Sequence, residues 1–334
     1  MKSFAFITHP ENSEQLRKIW PAAKFMPNFL IPQVLPLKIF PVKNVISAQG
    51  GQVHGVLVAC PILASQFPQA DHDFLARKVM AAAEIAKEAG ARILGLGGCF
   101  SGLAEKGGDF KSALKTPVTT GDAFGAWSIF EAAYRIAKAK KLNLKKINLA
   151  VFGAASAIGF LCAQKIAAHV AKIILVDANQ ASLEKLKDKI LDFNQVEVEI
   201  ELDGNRAAQE SDIIIIADDP ERMAISPQEF KPGSIVCCLS LYATADFKAG
   251  IGSSITFVEA GLVKLFCAAD FGVAGVWPQD LVSASFAETM LLAFENRFVY
   301  YSRGQNTSLD KLEEIADIAT RHGFEVWVPE APVV

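Results

Sequence analysis

Leu149-Ala150-Val151-Phe152-Gly153-Ala154-Ala155-Ser156-Ala157-Ile158-Gly159 is the stretch that decides the fold. Four apolar residues predict a buried strand, Gly153 ends it, and Ile158, Leu161, Cys162, Ile166 and Val170 then recur at helical spacing. A strand that feeds a glycine turn and then an amphipathic helix opens a βαβ unit. There the glycines let the backbone approach a pyrophosphate, and the helix N-terminus offers unpaired amides and the positive end of its dipole. A second predicted strand, Lys172 to Val176, ends at Asp177, 24 residues after Gly153 and close to the spacing at which a carboxylate meets an adenine ribose. Ser156 stands where the middle glycine of a GxxGxxG pattern would be. The expected dinucleotide contacts are Gly153, Ala154, Ala155, Ser156, Ala157, Ile158, Gly159 and Asp177. Asp177 with Ala178 after it favours NADH, because a carboxylate bonds two ribose hydroxyls and repels a 2'-phosphate.

Outward from this loop the pattern alternates strand and helix from Lys145 to Val263, and a run such as Ile213-Ile214-Ile215-Ile216 belongs in a parallel sheet covered on both faces. The fold class is therefore α/β: a Rossmann-type doubly wound parallel sheet, plus a second α/β domain formed by the N-terminal part with C-terminal helices packed back on it. The expected domains are 1–124 for substrate and catalysis, 125–277 for the dinucleotide, and 278–334 as a helical segment returning to the first. Within the first, Phe4 to Thr8 reads as a strand and Asp73 to Ala89 as a helix. Ile93 to Leu96 reads as a strand running into Gly97-Gly98. The Pro-rich stretch from Pro21 to Pro41 reads as a core-packing loop. A lipid-facing surface, or the wall of an acyl tunnel from Phe25 to Phe40, is the alternative.

Composition narrows the function classes. The chain has 334 residues, 51% hydrophobic and 21% charged, with mean hydropathy +0.27. It has no apolar run near the roughly 18 residues of a membrane span and no signal-peptide order at its start, so a cytoplasmic enzyme is expected. Net charge is -3. The one basic run, Lys138, Lys140, Lys141, Lys145 and Lys146, reads as a solvated linker, so no nucleic-acid partner is expected. Cys60, Cys99, Cys162, Cys237, Cys238 and Cys267 form no CxxC pair, and His9, His54, His72, His169 and His322 are scattered, so free thiols and no metal site are expected.

Further motifs lie in a fixed order: Phe4 to His9 with Gln15, His54-Gly55, Leu96-Gly97-Gly98 with Ser101, and Thr119-Thr120-Gly121. Val151 to Gly159, Gly261 to Cys267, Phe286-Ala287-Glu288 with Met290-Leu291-Leu292, and Arg321-His322-Gly323-Phe324 follow. In this order the chain resembles the cyanobacterial long-chain acyl-[acyl-carrier-protein] reductases over more than 300 residues. The resemblance implies NADPH-dependent reduction of a fatty acyl thioester, on a carrier protein or coenzyme A, to an aldehyde through a cysteine acyl-enzyme. The family cysteine falls on Cys267, which also follows the last predicted strand of the sheet and the Gly261-Leu262 turn. Lys264 and His54 are candidate helpers for the thiol chemistry, with His9 a further proton donor. Thr120 and Gly121 are candidate cofactor contacts, and Gly97, Gly98, Cys99 and Asp122 candidate substrate contacts. The Gly97-Gly98-Cys99 turn is the candidate oxyanion donor, and Cys99 a second thiol. Two departures from the family pattern stand out: Phe266 precedes the cysteine where histidine is expected, and Asp122 replaces an asparagine. An amino-acid or hydroxy-acid dehydrogenase, in which Cys267 is incidental, and a non-catalytic NAD(H) or acyl sensor are the competing readings.

Overall fold

The computed structural model describes residues 3–106, 114–220, 223, 225–273, 278–302 and 304–329. The chain divides into two compact units. One runs up to Phe124 and also holds Val263–Gly304 and Glu314–Glu325; the other holds Gly125–Leu262, Gln305–Glu313 and the segment beginning at Val326. The first division falls after Phe124. The next falls at Leu262, because the chain after Gly261 packs with the first unit; the expected boundary at 277 lies outside the described residues.

The first unit is built on five strands, β1 (Ser3–Thr8), β2 (Lys38–Ile46), β3 (Gln52–Ala59), β4 (Leu94–Leu96) and β5 (Val118–Thr119), in the order β2-β3-β1-β4-β5. All pairs are parallel except β2 with β3. Phe4, Ala5, Phe6 and Ile7 are all buried, as a central strand covered on both faces requires. β2 and β3 escape the sequence reading, and in β2 Pro41 argues against a strand. At an edge its missing N–H costs no ladder bond, and the register shift between Val42 and Val45, with Asn44 at φ 60, absorbs the misfit. Helix His72–Glu88 is capped by the Asp71 carboxylate, which accepts from Phe74 N at 2.9 Å. Helix Ala284–Phe294 is buried along its length, except at Ser285, and stacks Phe286 on Phe6 at 4.4 Å.

The second unit is a six-stranded, all-parallel sheet. Its strands are β6 (Asn148–Phe152), β7 (Lys172–Val176), β8 (Glu197–Glu201), β9 (Ile213–Ile216), β10 (Ile235–Leu239) and β11 (Thr256–Ala260). The spatial order β8-β7-β6-β9-β10-β11 is the 3-2-1-4-5-6 order of the doubly wound dinucleotide fold. Alternate residues feed two cores: Leu149, Val151, Ile213 and Ile215 pack on one face, and Ala150, Phe152, Ile214 and Ile216 on the other. That two-sided burial is why the strands read as unbroken apolar runs.

Candidate functional site

In the second unit the glycine loop sits at the switch point of the sheet, between β6 and its neighbours β7 and β9. Gly153 has φ +72, and a Cβ there would lie 2.5 Å from Asp218 Cβ; a Cβ on Gly159 would lie 2.1 Å from the Gly153 carbonyl oxygen. Helix Ala157–Ala167 therefore starts hard against the loop, which only glycine allows. Ser156 is its N-cap, with Oγ accepting from Gly159 N at 3.1 Å, so the residue in place of the middle glycine anchors the helix. The amides of Ala157 and Ile158, in the first turn, lack intrahelical acceptors and are the ones suited to a pyrophosphate. Asp177 Oδ2 accepts from Ala155 N at 3.2 Å and Oδ1 from Asn179 N at 3.0 Å, which fixes the carboxylate beside the loop. Gln305 Nε2 donates to the Ala155 carbonyl. Asp218 and Asp219, half-buried after β9, were missed in the sequence, where they read as an ordinary strand end.

A dinucleotide fits this cradle of a positive-φ glycine, a second glycine with no room for a side chain, and unpaired first-turn amides. Replacing Asp177 with Ala is expected to weaken NADH binding about tenfold while sparing NADPH, since a ribose-bonding carboxylate is worth on the order of 1.5 kcal/mol. Equilibrium titration of both nucleotides checks this.

In the first unit the expected site residues separate to two ends of the sheet. Ser3 pairs with His54 and Ile7 with Leu96, so His54 lies about five residues of strand, roughly 16 Å, from Gly97. Asp270 exchanges two backbone bonds of 2.9 Å with Lys43, at the His54 level, and Phe266 abuts Gly323 near Ala48, beyond the end of β2. Cys267, between them, is consequently at the amino ends of β1 and β3, with Lys264 exposed. The sequence grouping of Cys267 and His54 with Gly97, Gly98, Cys99, Thr120, Gly121 and Asp122 is thus not one site. A one-dimensional reading does not see that the chain after β11 runs back along β2.

The carboxyl ends of the parallel strands carry the second group, and ligands of open α/β sheets bind at such ends. Gly97 N donates to Ile7 O at 2.9 Å and Cys99 N to His9 Nε2 at 3.1 Å, so two of the three amides proposed for an oxyanion are already engaged. With Nε2 accepting, His9 carries its proton on Nδ1, 3.1 Å from Pro10 O, and burial drives its pKa down to about 4. It is a neutral structural histidine, not the expected proton donor. Of the cysteines, Cys60, Cys162, Cys237 and Cys238 are buried, and burial raises the pKa of each thiol; Cys99 and Cys267 are part-exposed.

Beyond β5 lies a polar cluster that the sequence showed only in part. Asp122, buried, accepts from Thr120 Oγ1 and from Gly304 N at 2.7 Å, and burial raises its pKa. Glu288, fully buried, accepts from Thr119 Oγ1, from Ser302 Oγ at 2.5 Å and from Phe124 N at 2.9 Å. Three donors favour its carboxylate, yet desolvation outweighs them and its pKa is pushed up to about 7. Ser285 packs against the turn: a Cβ on Gly121 would lie 2.2 Å from Ser285 Cα. Glu288 and Ser302 were invisible as partners of Thr119 because 169 and 183 residues separate them in sequence. Among the described residues no group of three or more His, Cys, Asp or Glu is placed to hold a metal ion, and no helix is long and apolar enough to cross a membrane.

The chain is distantly similar to several known proteins. No family model matches the chain. It is 26% identical over 298 residues to a long-chain acyl-[acyl-carrier-protein] reductase of Synechococcus elongatus, covering 84% of this chain and 85% of that one. It is 24% identical over 292 residues to aminotransferase PigE of a Serratia species, covering 85% of this chain but 34% of PigE, so it spans about a third of that relative's length. Among solved structures, L-tryptophan dehydrogenase of Nostoc punctiforme superposes with TM-score 0.41 at 11% identity over 97% of this chain and 83% of the other. Shikimate 5-dehydrogenase of Listeria monocytogenes does so with TM-score 0.38 at 12% over 94% and 96%. Both are loose resemblances.

Proposed function

We propose that the chain is a nicotinamide-dependent reductase that converts a long-chain acyl thioester to an aldehyde. The observation that carries the nicotinamide half is the Gly153 to Gly159 cradle with Asp177 beside it, at the switch point of a 3-2-1-4-5-6 sheet. The thioester half is supported by the similarity to the acyl-carrier-protein reductase over most of both chains. In this reading the Ala157 and Ile158 amides would hold the pyrophosphate of a nicotinamide nucleotide and Asp177 its adenosine ribose.

We assign substrate handling to the carboxyl ends of β4 and β5. Cys99, at the carboxyl end of β4, is taken as the nucleophile in place of Cys267, which lies at the other end of the sheet. In this reading Cys99 sulfur, as thiolate, adds to the acyl carbonyl. Collapse expels the carrier thiol, which takes up a proton from solvent, and leaves the acyl group on the enzyme. A bound reduced nicotinamide would supply the hydride for the thioester carbonyl, and loss of the Cys99 thiolate would release the aldehyde. His9 keeps the turn rigid through the Cys99 amide.

Intact-mass analysis after mixing with a long-chain acyl-carrier protein tests both parts. The expected adduct is present in wild type and Cys267→Ala, absent in Cys99→Ala, and discharged to aldehyde by NADH or NADPH. An adduct lost only in Cys267→Ala returns the nucleophile to that residue. No adduct, together with nucleotide reduction by an amino or hydroxy acid, replaces the thioester reading with a dehydrogenase.

A further inference from the structure

The segment the sequence offered as a core loop, a tunnel wall or a lipid-facing surface turns out to have two faces. Leu16, Ile19, Trp20, Ala23, Ile31 and Leu35 pack inward with Ala59 and Leu63. The outward face keeps its apolar side chains in water: Phe25 is 81% exposed, Phe29 68%, Val34 57% and Ile39 45%. Exposed side chains do not line a tunnel. Phe25 ends a 3-10 turn and Phe29 lies in the turn at 28–30, so both rings stand largely in solvent. Lys24 Nζ sits 4.7 Å from the Phe25 ring centroid.

The charge along the segment is one-sided. From Gln15 to Ala70 the sequence contains no Asp or Glu, and Arg17, Lys18, Lys24, Lys38 and Lys43 lie within it, although the whole chain has net charge -3. Arg17, Lys18, Lys24 and Lys43 are exposed, while Lys38 donates to Ile19 O and Lys18 pairs with Glu14 at the edge of the patch. Protruding aromatic rings within a basic field, on a molecule that is acidic elsewhere, match an anionic interface with a deformable apolar interior.

We propose that this face docks the protein on the surface of an anionic phospholipid bilayer, with Phe25 and Phe29 entering the headgroup region and Arg17 and Lys24 over the lipid phosphates. An acidic partner protein fits the charge but gives no use to two phenyl rings standing largely in solvent. The inference is independent of the reductase reading.

Flotation of the full chain with vesicles is the test. Vesicles of equal phosphatidylglycerol and phosphatidylcholine are expected to carry the protein at low ionic strength. Pure phosphatidylcholine should carry at least tenfold less, and 0.5 M salt should release it, in line with a short screening length. The double variant Phe25→Ser, Phe29→Ser and the charge variant Arg17→Glu, Lys24→Glu should each lose at least tenfold in bound fraction. Because all four side chains are exposed, their melting temperatures should match wild type. No binding to the anionic vesicles overturns the proposal, as does binding that the phenylalanine variant leaves intact. A dimer in light scattering that this variant dissolves assigns the face to a second copy and also overturns it.

Discussion

Gly159→Val is expected to abolish NADH and NADPH binding, by at least a hundredfold in Kd, and to destabilise the protein by about 2–4 kcal/mol. Any Cβ at this position falls 2.1 Å from a backbone oxygen and 2.8 Å from its carbon, atoms that no rotamer change can move. Relief requires the first turn of helix Ala157–Ala167 to lift off the loop, which carries away the Ala157 and Ile158 amides and breaks the Ser156 cap. Gly102, where a Cβ meets nothing within 4 Å, is the control, and Gly102→Ala should bind nucleotide normally. Fluorescence titration and thermal melting measure both effects. Normal nucleotide affinity in Gly159→Val would remove the loop from the cofactor site.

Glu288→Ala carries the second large effect, about 3–6 kcal/mol of lost stability, since Thr119, Ser302 and the Phe124 amide would lose their shared acceptor in a dry interior. Its charge also has a pH signature. The folded pKa of Glu288, about 7, stands above the unfolded value of 4.5, so the native state holds the extra proton between them. The stability this contributes is full below about 4.5 and disappears as pH rises through about 7. Asp122, also raised, acts in the same sense. His9 acts oppositely: its folded value is depressed to about 4, so its contribution is full above 6.5 and is lost as pH falls through 4. Comparing wild type with Glu288→Gln cancels His9. Denaturant unfolding should show the wild type losing roughly 3 kcal/mol relative to Glu288→Gln between pH 4.5 and 7.5. A difference flat across that window would mean that Glu288 stays ionised throughout.

The legibility of the two units differs for a physical reason. In the second, the proposed nucleotide cradle is one contiguous stretch of the fold: strand, glycine, cap and helix are neighbours in sequence, and Asp177 follows on the next strand, so periodicity and spacing were enough to find these elements. In the first, the ladder partners of Ser3 are at 54 and those of Ala5 at 94, and the acceptor of the Thr119 hydroxyl is at 288. Motif order drew attention to Thr119 to Asp122 but not to the partners they bond. It grouped Cys267 with them because adjacency to β11 in sequence resembled adjacency in space.

The sequence by itself determined the doubly wound sheet, the Gly153 to Gly159 turn and the Asp177 position, because each depends on side-chain periodicity or steric room within a few residues. Tertiary structure alone decided that Pro41 lies in an edge strand, that Phe25 and Phe29 face outward, that His9 is spent on Cys99, and that Cys267 and Cys99 stand at opposite ends of a sheet. Those outcomes depend on which distant strand supplies the neighbouring backbone and on which groups burial deprives of water, and no local pattern encodes either.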